Sequence, residues 1–214
     1  MKRITVFGGG TSEGLWDKKG GWVNRLNCKL NQKTLDTKGS KHYETFCLGI
    51  RGDNTKNVLD RFESELDTRE KHDEDAENIL IFEVGANDAQ FVFEEDDLKT
   101  SPEDFREQMN ELMDKAGQRA EHVIFLGLLP VLDDDINPIP AIEGRSYTSN
   151  RMKQYTEIIE ELCELHNLEY IDIFSLIEKR GFEELTDDGL HPNTEGHRII
   201  FETVEEKLKE LDVV

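Results

Sequence analysis

Five short apolar runs, each separated from the next by an amphipathic stretch, constrain this chain more than any other feature. They fall at residues 4–7, 45–50, 79–84, 122–129 and 170–174. Each is nearly continuous in apolar residues rather than alternating, as strands covered on both faces are. The amphipathic stretches between them occupy residues 21–30, 55–66, 102–116 and 150–166, and one more, 195–211, follows the last run. Thr100-Ser101-Pro102 supplies a cap and first-turn pair for the third of these, with Met109, Leu112 and Met113 recurring at helical spacing. Strands that alternate with helices through right-handed crossovers close into a parallel sheet with helices on both faces. The expected architecture is therefore α/β, a three-layer α/β/α arrangement on a five-stranded parallel sheet. Ligands of such sheets bind beyond the carboxyl ends of the strands. The loops after the first three strands, and the segment 185–192, become the places to look.

The 214 residues fit a single domain spanning 1–214. Lysine and arginine total 26 against 47 aspartates and glutamates, a net charge of −21. A field this negative repels phosphate, which speaks against nucleic acid and against an anionic membrane surface as partners. No apolar run approaches the ~20 residues of a membrane helix, and the run after Met1-Lys2-Arg3 is too short for the core of a signal peptide. Cys28, Cys47 and Cys163 are odd in number and widely spaced, and read as reduced, partly buried thiols of a cytoplasmic protein. No metal-ligand spacing and no cofactor motif are visible, and a monomer is expected for so acidic and polar a chain. Glu94-Glu95-Asp96-Asp97 and Asp133-Asp134-Asp135 lack the spacing of a calcium loop and read as solvated acidic loops. Pro130, Pro138 and Pro140 place a rim or lid after the fourth strand.

Each strand-end loop carries unusual residues. After the first strand comes Phe7-Gly8-Gly9-Gly10-Thr11-Ser12-Glu13-Gly14, whose glycines match neither the dinucleotide nor the nucleoside-triphosphate pattern. After the second comes Gly49-Ile50-Arg51-Gly52-Asp53, and after the third Gly85-Ala86-Asn87-Asp88. Asp187-Asp188-Gly189-Leu190-His191-Pro192 precedes the last helix. Asp188 and His191, three apart, allow a carboxylate to fix an imidazole tautomer, although a helix cap beside a surface histidine has the same spelling. The Asn87 amide and a backbone N–H at Gly52 can converge on an oxyanion, although strand ends use Gly-Asn-Asp for turns as well.

Taken in order, these four loops resemble the SGNH, or GDSL-type, hydrolases over nearly the whole chain. The resemblance implies a flavodoxin-like fold and a small-molecule ester, thioester or acetylated carbohydrate as substrate. It aligns Gly52, Asn87 and Asp188-Gly189-Leu190-His191 with the family's second, third and fifth blocks. His191 becomes the base, Asp188 its orienting carboxylate, and Gly10, Gly52 and Asn87 the oxyanion hole. The first block departs from the pattern: the family has Gly-Asp-Ser, and Gly10 stands where its nucleophilic serine does. Ser12, two positions on, is the candidate displaced nucleophile, though residues two apart are separated by roughly 5–7 Å. Thr11, nearer in sequence, is the other candidate for a displaced nucleophile but is expected to point into the core. Two functions follow: a hydrolase in which His191 activates water, or a catalytically impaired binding protein for an acyl or sugar ligand. Trp16, Trp22, Phe91, Phe93 and residues 129–147 are the candidates for substrate selectivity, Trp22 being also the start of a helix that should pack on the sheet.

Overall fold

Strands that are apolar on both faces need a layer on each side. The computed structural model, which describes residues 1–70, 75–133 and 143–214, shows both layers. In chain order the elements are β1 (Lys2–Gly8), α1 (Gly10–Glu13), α2 (Gly21–Asp36), β2 (Tyr43–Gly49), α3 (Thr55–Glu70) and β3 (Glu77–Glu83). Then follow β4 (Phe91–Val92), β5 (Asp97–Leu98), α4 (Pro102–Gly117), β6 (His122–Leu126), β7 (Arg145–Ser146) and α5 (Ser149–His166). The chain closes with β8 (Glu169–Ile171), α6 (Ile173–Arg180), a 3-10 turn at Phe182–Glu184, and α7 (Thr194–Glu210).

The five long-range strands form one parallel sheet in the order β2-β1-β3-β6-β8. This is the flavodoxin-like, three-layer α/β/α arrangement. Side-chain alternation splits the core in two. Ile4, Val6, Ile79, Ile81, Ile124 and Leu126 face one way, joined by Trp22 and Leu26 of α2 and by Ile200 and Val204 of α7. Phe7, Leu80, Phe82, Val123 and Phe125 face the other, under Phe62 of α3, Met109 of α4 and Tyr155 of α5. The register sets Phe7 beside Phe82 and Phe82 beside Phe125, so the three rings stack across the sheet at 5.5 and 4.5 Å between centroids. Trp22 is fully buried at the start of α2, as its place in the sequence suggested.

Helix starts follow local chemistry. Ser101 Oγ accepts from Asp104 N at 3.1 Å ahead of Pro102, and Asn193 Oδ1 accepts from Glu195 N and Gly196 N at 3.0 and 3.2 Å at the head of α7. The run 170–174 is only half strand. Asp172 caps α6, its Oδ1 accepting from Ser175 N at 3.0 Å, so Ile173 and Phe174 become helical core residues. The run 122–129 likewise ends as strand at Leu126. Unforeseen is a small antiparallel sheet, β5-β4-β7, built from two-residue strands that carry no periodic signal. Cys28 and Cys47 are exposed and only Cys163 is buried, a correction to the expectation of partly buried thiols. The apolar periodicity could not show that the first two lie on solvent-facing positions. Of the expected rim, residues 134–142, with Pro138 and Pro140, lie outside the described residues.

Candidate active site

The chain leaves β1 for α2 and β2 on one side and returns through α3 to β3 on the other. The loops after β1 and β3 therefore diverge and leave a crevice at the carboxyl end of the sheet. A cavity of about 50 Å³ lies there, lined among others by Gly9, Gly10, Glu83, Asn87, Tyr147 and His191. The loops after β1 and β3 and the segment before α7 do converge.

The His191 segment is held by its own hydrogen bonds. Thr186 Oγ1 accepts from Gly189 N at 2.9 Å and donates to the His191 carbonyl at 2.8 Å, and Thr186 bridges to Pro192. Asp188 Oδ1 accepts from the backbone N–H groups of Leu190 and His191 at 3.0 and 2.7 Å. Its other oxygen, Oδ2, meets His191 Nδ1 at 2.7 Å. Partial burial alone would raise the Asp188 pKa. The hydrogen bonds from the His191 ring and backbone and from Leu190 outweigh it and hold the carboxyl below its ordinary value. An ionised Asp188 accepts a hydrogen bond from Nδ1–H, which keeps the proton on Nδ1 and leaves Nε2 of the imidazole as the acceptor. The Trp16 indole lies over the imidazole, centroids 6.1 Å apart and planes at 29°, on a residue at φ +63°.

The loop after β3 is anchored from below. Asp88, fully buried, accepts from Thr55 N and Thr55 Oγ1 at 2.9 and 3.0 Å through Oδ2, which ties this loop to the start of α3. Asn87 Nδ2 donates to the Asp53 carbonyl at 3.0 Å, and Asn87 Oδ1 accepts from Tyr147 Oη at 2.9 Å. Gly52, at φ +86°, sits one residue before Asp53 and is exposed; Asp53 lines the cavity and Gly52 does not. The Gly52 carbonyl accepts from Lys99 Nζ at 3.2 Å.

The loop after β1 differs from expectation at both hydroxyls. Ser12 is fully buried; its hydroxyl donates to Glu83 Oε2 at 2.8 Å and its N–H to the same oxygen at 3.0 Å. It is not among the cavity residues. A side chain at Gly8 would run into the Ser12 hydroxyl and into the Glu83 carbonyl 2.5 Å from its Cβ, so glycine there permits this close packing. Thr11, expected to face the core, is partly exposed and lines the cavity, because the short turn of α1 rotates it outward. Gly10 lines the cavity too; a Cβ on it would lie 2.5 Å from Leu15 Cδ1.

Glu83 is the cavity residue that sequence reasoning passed over. It ends β3 with 8% exposure, and burial pushes its pKa from 4.5 up to about 7 against the lowering effect of the two Ser12 hydrogen bonds. The available signal was a lone acid between Phe82 and Val84 in an otherwise apolar run. Among the described residues no group of three or more His, Cys, Asp or Glu could hold a metal ion. No described helix is long and apolar enough to cross a membrane.

A doubly wound sheet with a His–Asp pair and an asparagine amide on one cavity at its carboxyl end has the architecture of the SGNH class. Comparison with known proteins agrees. The model of the GDSL-like Lipase/Acylhydrolase family matches residues 6–199, and the chain belongs to that family. Among solved structures it is similar to the lipase/acylhydrolase from Enterococcus faecalis, at 22% identity and TM-score 0.71 over 98% of this chain and 96% of that one. It is also similar to Axe2, an acetylxylan esterase from Geobacillus stearothermophilus, at 13% identity and TM-score 0.73 over 97% and 94%. TesA matches at 20% identity and TM-score 0.68 over 98% and 99%. No curated protein matches.

Proposed function

We propose that this chain, one domain over residues 1–214, is a cytoplasmic, monomeric hydrolase of a small ester, thioester or acetylated carbohydrate, with His191 activating a water molecule. The observation that carries the reading is that His191, with Nδ1 on Asp188 at 2.7 Å, and the Asn87 amide line the same cavity. Water attacks the carbonyl carbon as its proton passes to His191 Nε2. The carbonyl oxygen becomes an oxyanion that receives N–H groups from Gly10 and Asn87 Nδ2, whereas Gly52, which lies off the cavity, is assigned no donor role. On collapse the C–O or C–S bond breaks, and His191 returns the proton to the leaving oxygen or sulfur. The three free thiols fit a reducing compartment.

Gly10 has no side chain to act as nucleophile, and Ser12, whose hydroxyl is spent on Glu83, is assigned no catalytic role. Loss of a triad member in a serine protease still leaves a rate ~10³–10⁴ above water, so hydrolysis without the serine is physically open. The second reading, a binding protein for an acyl or sugar ligand, is favoured by Leu15, whose methyl packs beside Gly10. Hydrolysis of p-nitrophenyl acetate by the parent chain and by His191→Ala separates them. The hydrolase reading expects a rate above buffer that His191→Ala abolishes, with no labelling by a fluorophosphonate. A rate indifferent to His191 refutes it. Labelling at Ser12 or Thr11 restores the displaced nucleophile.

A further inference from the structure

Both ends of the Asn87 amide are tied, and the ties decide which way it faces. Nδ2 donates to the Asp53 carbonyl at 3.0 Å, and Oδ1 accepts from Tyr147 Oη at 2.9 Å. An amide nitrogen carries two hydrogens, so one remains for the cavity that Asn87 lines. Tyr147 has no freedom of its own. Its oxygen accepts from Gln90 Nε2 at 3.0 Å, and Gln90 Oε1 accepts from Arg145 Nη1 at 2.6 Å. A phenol has a single hydrogen; with Gln90 as donor on one side, that hydrogen goes to Asn87. Tyr147 and Gln90 are 4% and 2% exposed, and burial pushes the phenol pKa up to about 12, so it stays a donor. The small sheet makes the chain of bonds possible: Phe91 pairs with Ser146 and Val92 with Arg145, which lays residues 145–147 alongside Gln90.

We propose that Tyr147, backed by Gln90 and Arg145, is a positioning residue that keeps the free N–H of Asn87 turned into the cavity as an oxyanion donor. The proposal rests on the reading of Asn87 given above. Without the Tyr147 hydroxyl, Asn87 Oδ1 loses its donor and the amide is fixed at one end only. A misaimed oxyanion donor lowers kcat more than it raises KM.

The test uses the ¹⁵N-labelled full chain and follows the Asn87 side-chain amide signals, identified by their loss in Asn87→Asp. Tyr147→Phe, which keeps the ring on the cavity wall, is expected to shift or broaden that pair while backbone dispersion is retained. In a Gly10→Ser background, Tyr147→Phe should lower kcat for p-nitrophenyl acetate by about tenfold and leave KM within about twofold. Unchanged Asn87 signals overturn the proposal, and so does an unchanged kcat in an active chain. Shifted Asn87 signals when no variant hydrolyses ester support the positioning and count against the hydrolase reading alone. If Tyr147→Phe gives no dispersed spectrum, Arg145→Met at the partly exposed end of the chain of bonds takes its place. The same signals then move by less, and their constancy overturns the proposal.

Discussion

Glu83→Gln should make the chain more stable at alkaline than at acidic pH relative to the parent. Glu83 is nearly inaccessible, and its pKa rises from 4.5 to about 7 because burial disfavours the carboxylate. In the unfolded chain the carboxyl ionises near its ordinary value; in the fold it holds its proton until about neutrality. The folded state therefore binds more protons between the two values. The contribution of Glu83 is fully present below the unfolded pKa and is lost as pH rises through the folded one. At ~1.4 kcal/mol per pKa unit, the parent loses roughly 2–3 kcal/mol from this group between about pH 5 and pH 8. Glutamine has no proton to lose, and its carbonyl can still accept the N–H and hydroxyl of Ser12. Urea unfolding of parent and variant at both pH values isolates the effect, since the other titrations cancel. The difference in unfolding free energy should swing by roughly 2–3 kcal/mol in favour of Gln at the higher pH. Parallel curves, within about 0.5 kcal/mol, would refute the claim that this carboxyl is held protonated by the fold.

Gly10→Ser should raise ester hydrolysis above the parent's and introduce fluorophosphonate labelling at position 10, and adding Leu15→Ala should raise both further, because a Cβ at Gly10 meets Leu15 Cδ1 at 2.5 Å; equal labelling with and without Leu15 would show that this methyl moves freely. In that serine-restored chain, Asp188→Asn should lower kcat at neutral pH by on the order of 10⁴-fold through the wrong imidazole tautomer, measured by p-nitrophenol release. Phe82→Ala should cost about 3–5 kcal/mol in urea unfolding, since the ring is fully buried between Phe7 and Phe125.

The sheet was legible because its central strands are nearly continuous in apolar residues and all five strands are separated by amphipathic helices; only the ends moved, as at Asp172, where one capping carboxylate outweighs an apolar run. The β4-β5-β7 sheet was not legible, since two-residue strands have no period to detect. The His191–Asp188 pair could be read because it is local, three residues apart on one loop. Glu83 and Ser12 are 71 residues apart, and Tyr147 and Asn87 are 60. No spacing rule reaches across such distances.

By itself, the sequence determined the alternation of strand and helix, the strand-end positions of the polar loops and the side-chain chemistry each loop can offer, because these depend on local periodicity and residue type. Only the tertiary structure decided how those groups are used. It buried the Ser12 hydroxyl against Glu83, turned Thr11 outward and fixed the face of the Asn87 amide through Tyr147. A polar group takes whichever partner folding brings within hydrogen-bond reach, and here the partners come from opposite ends of long crossovers.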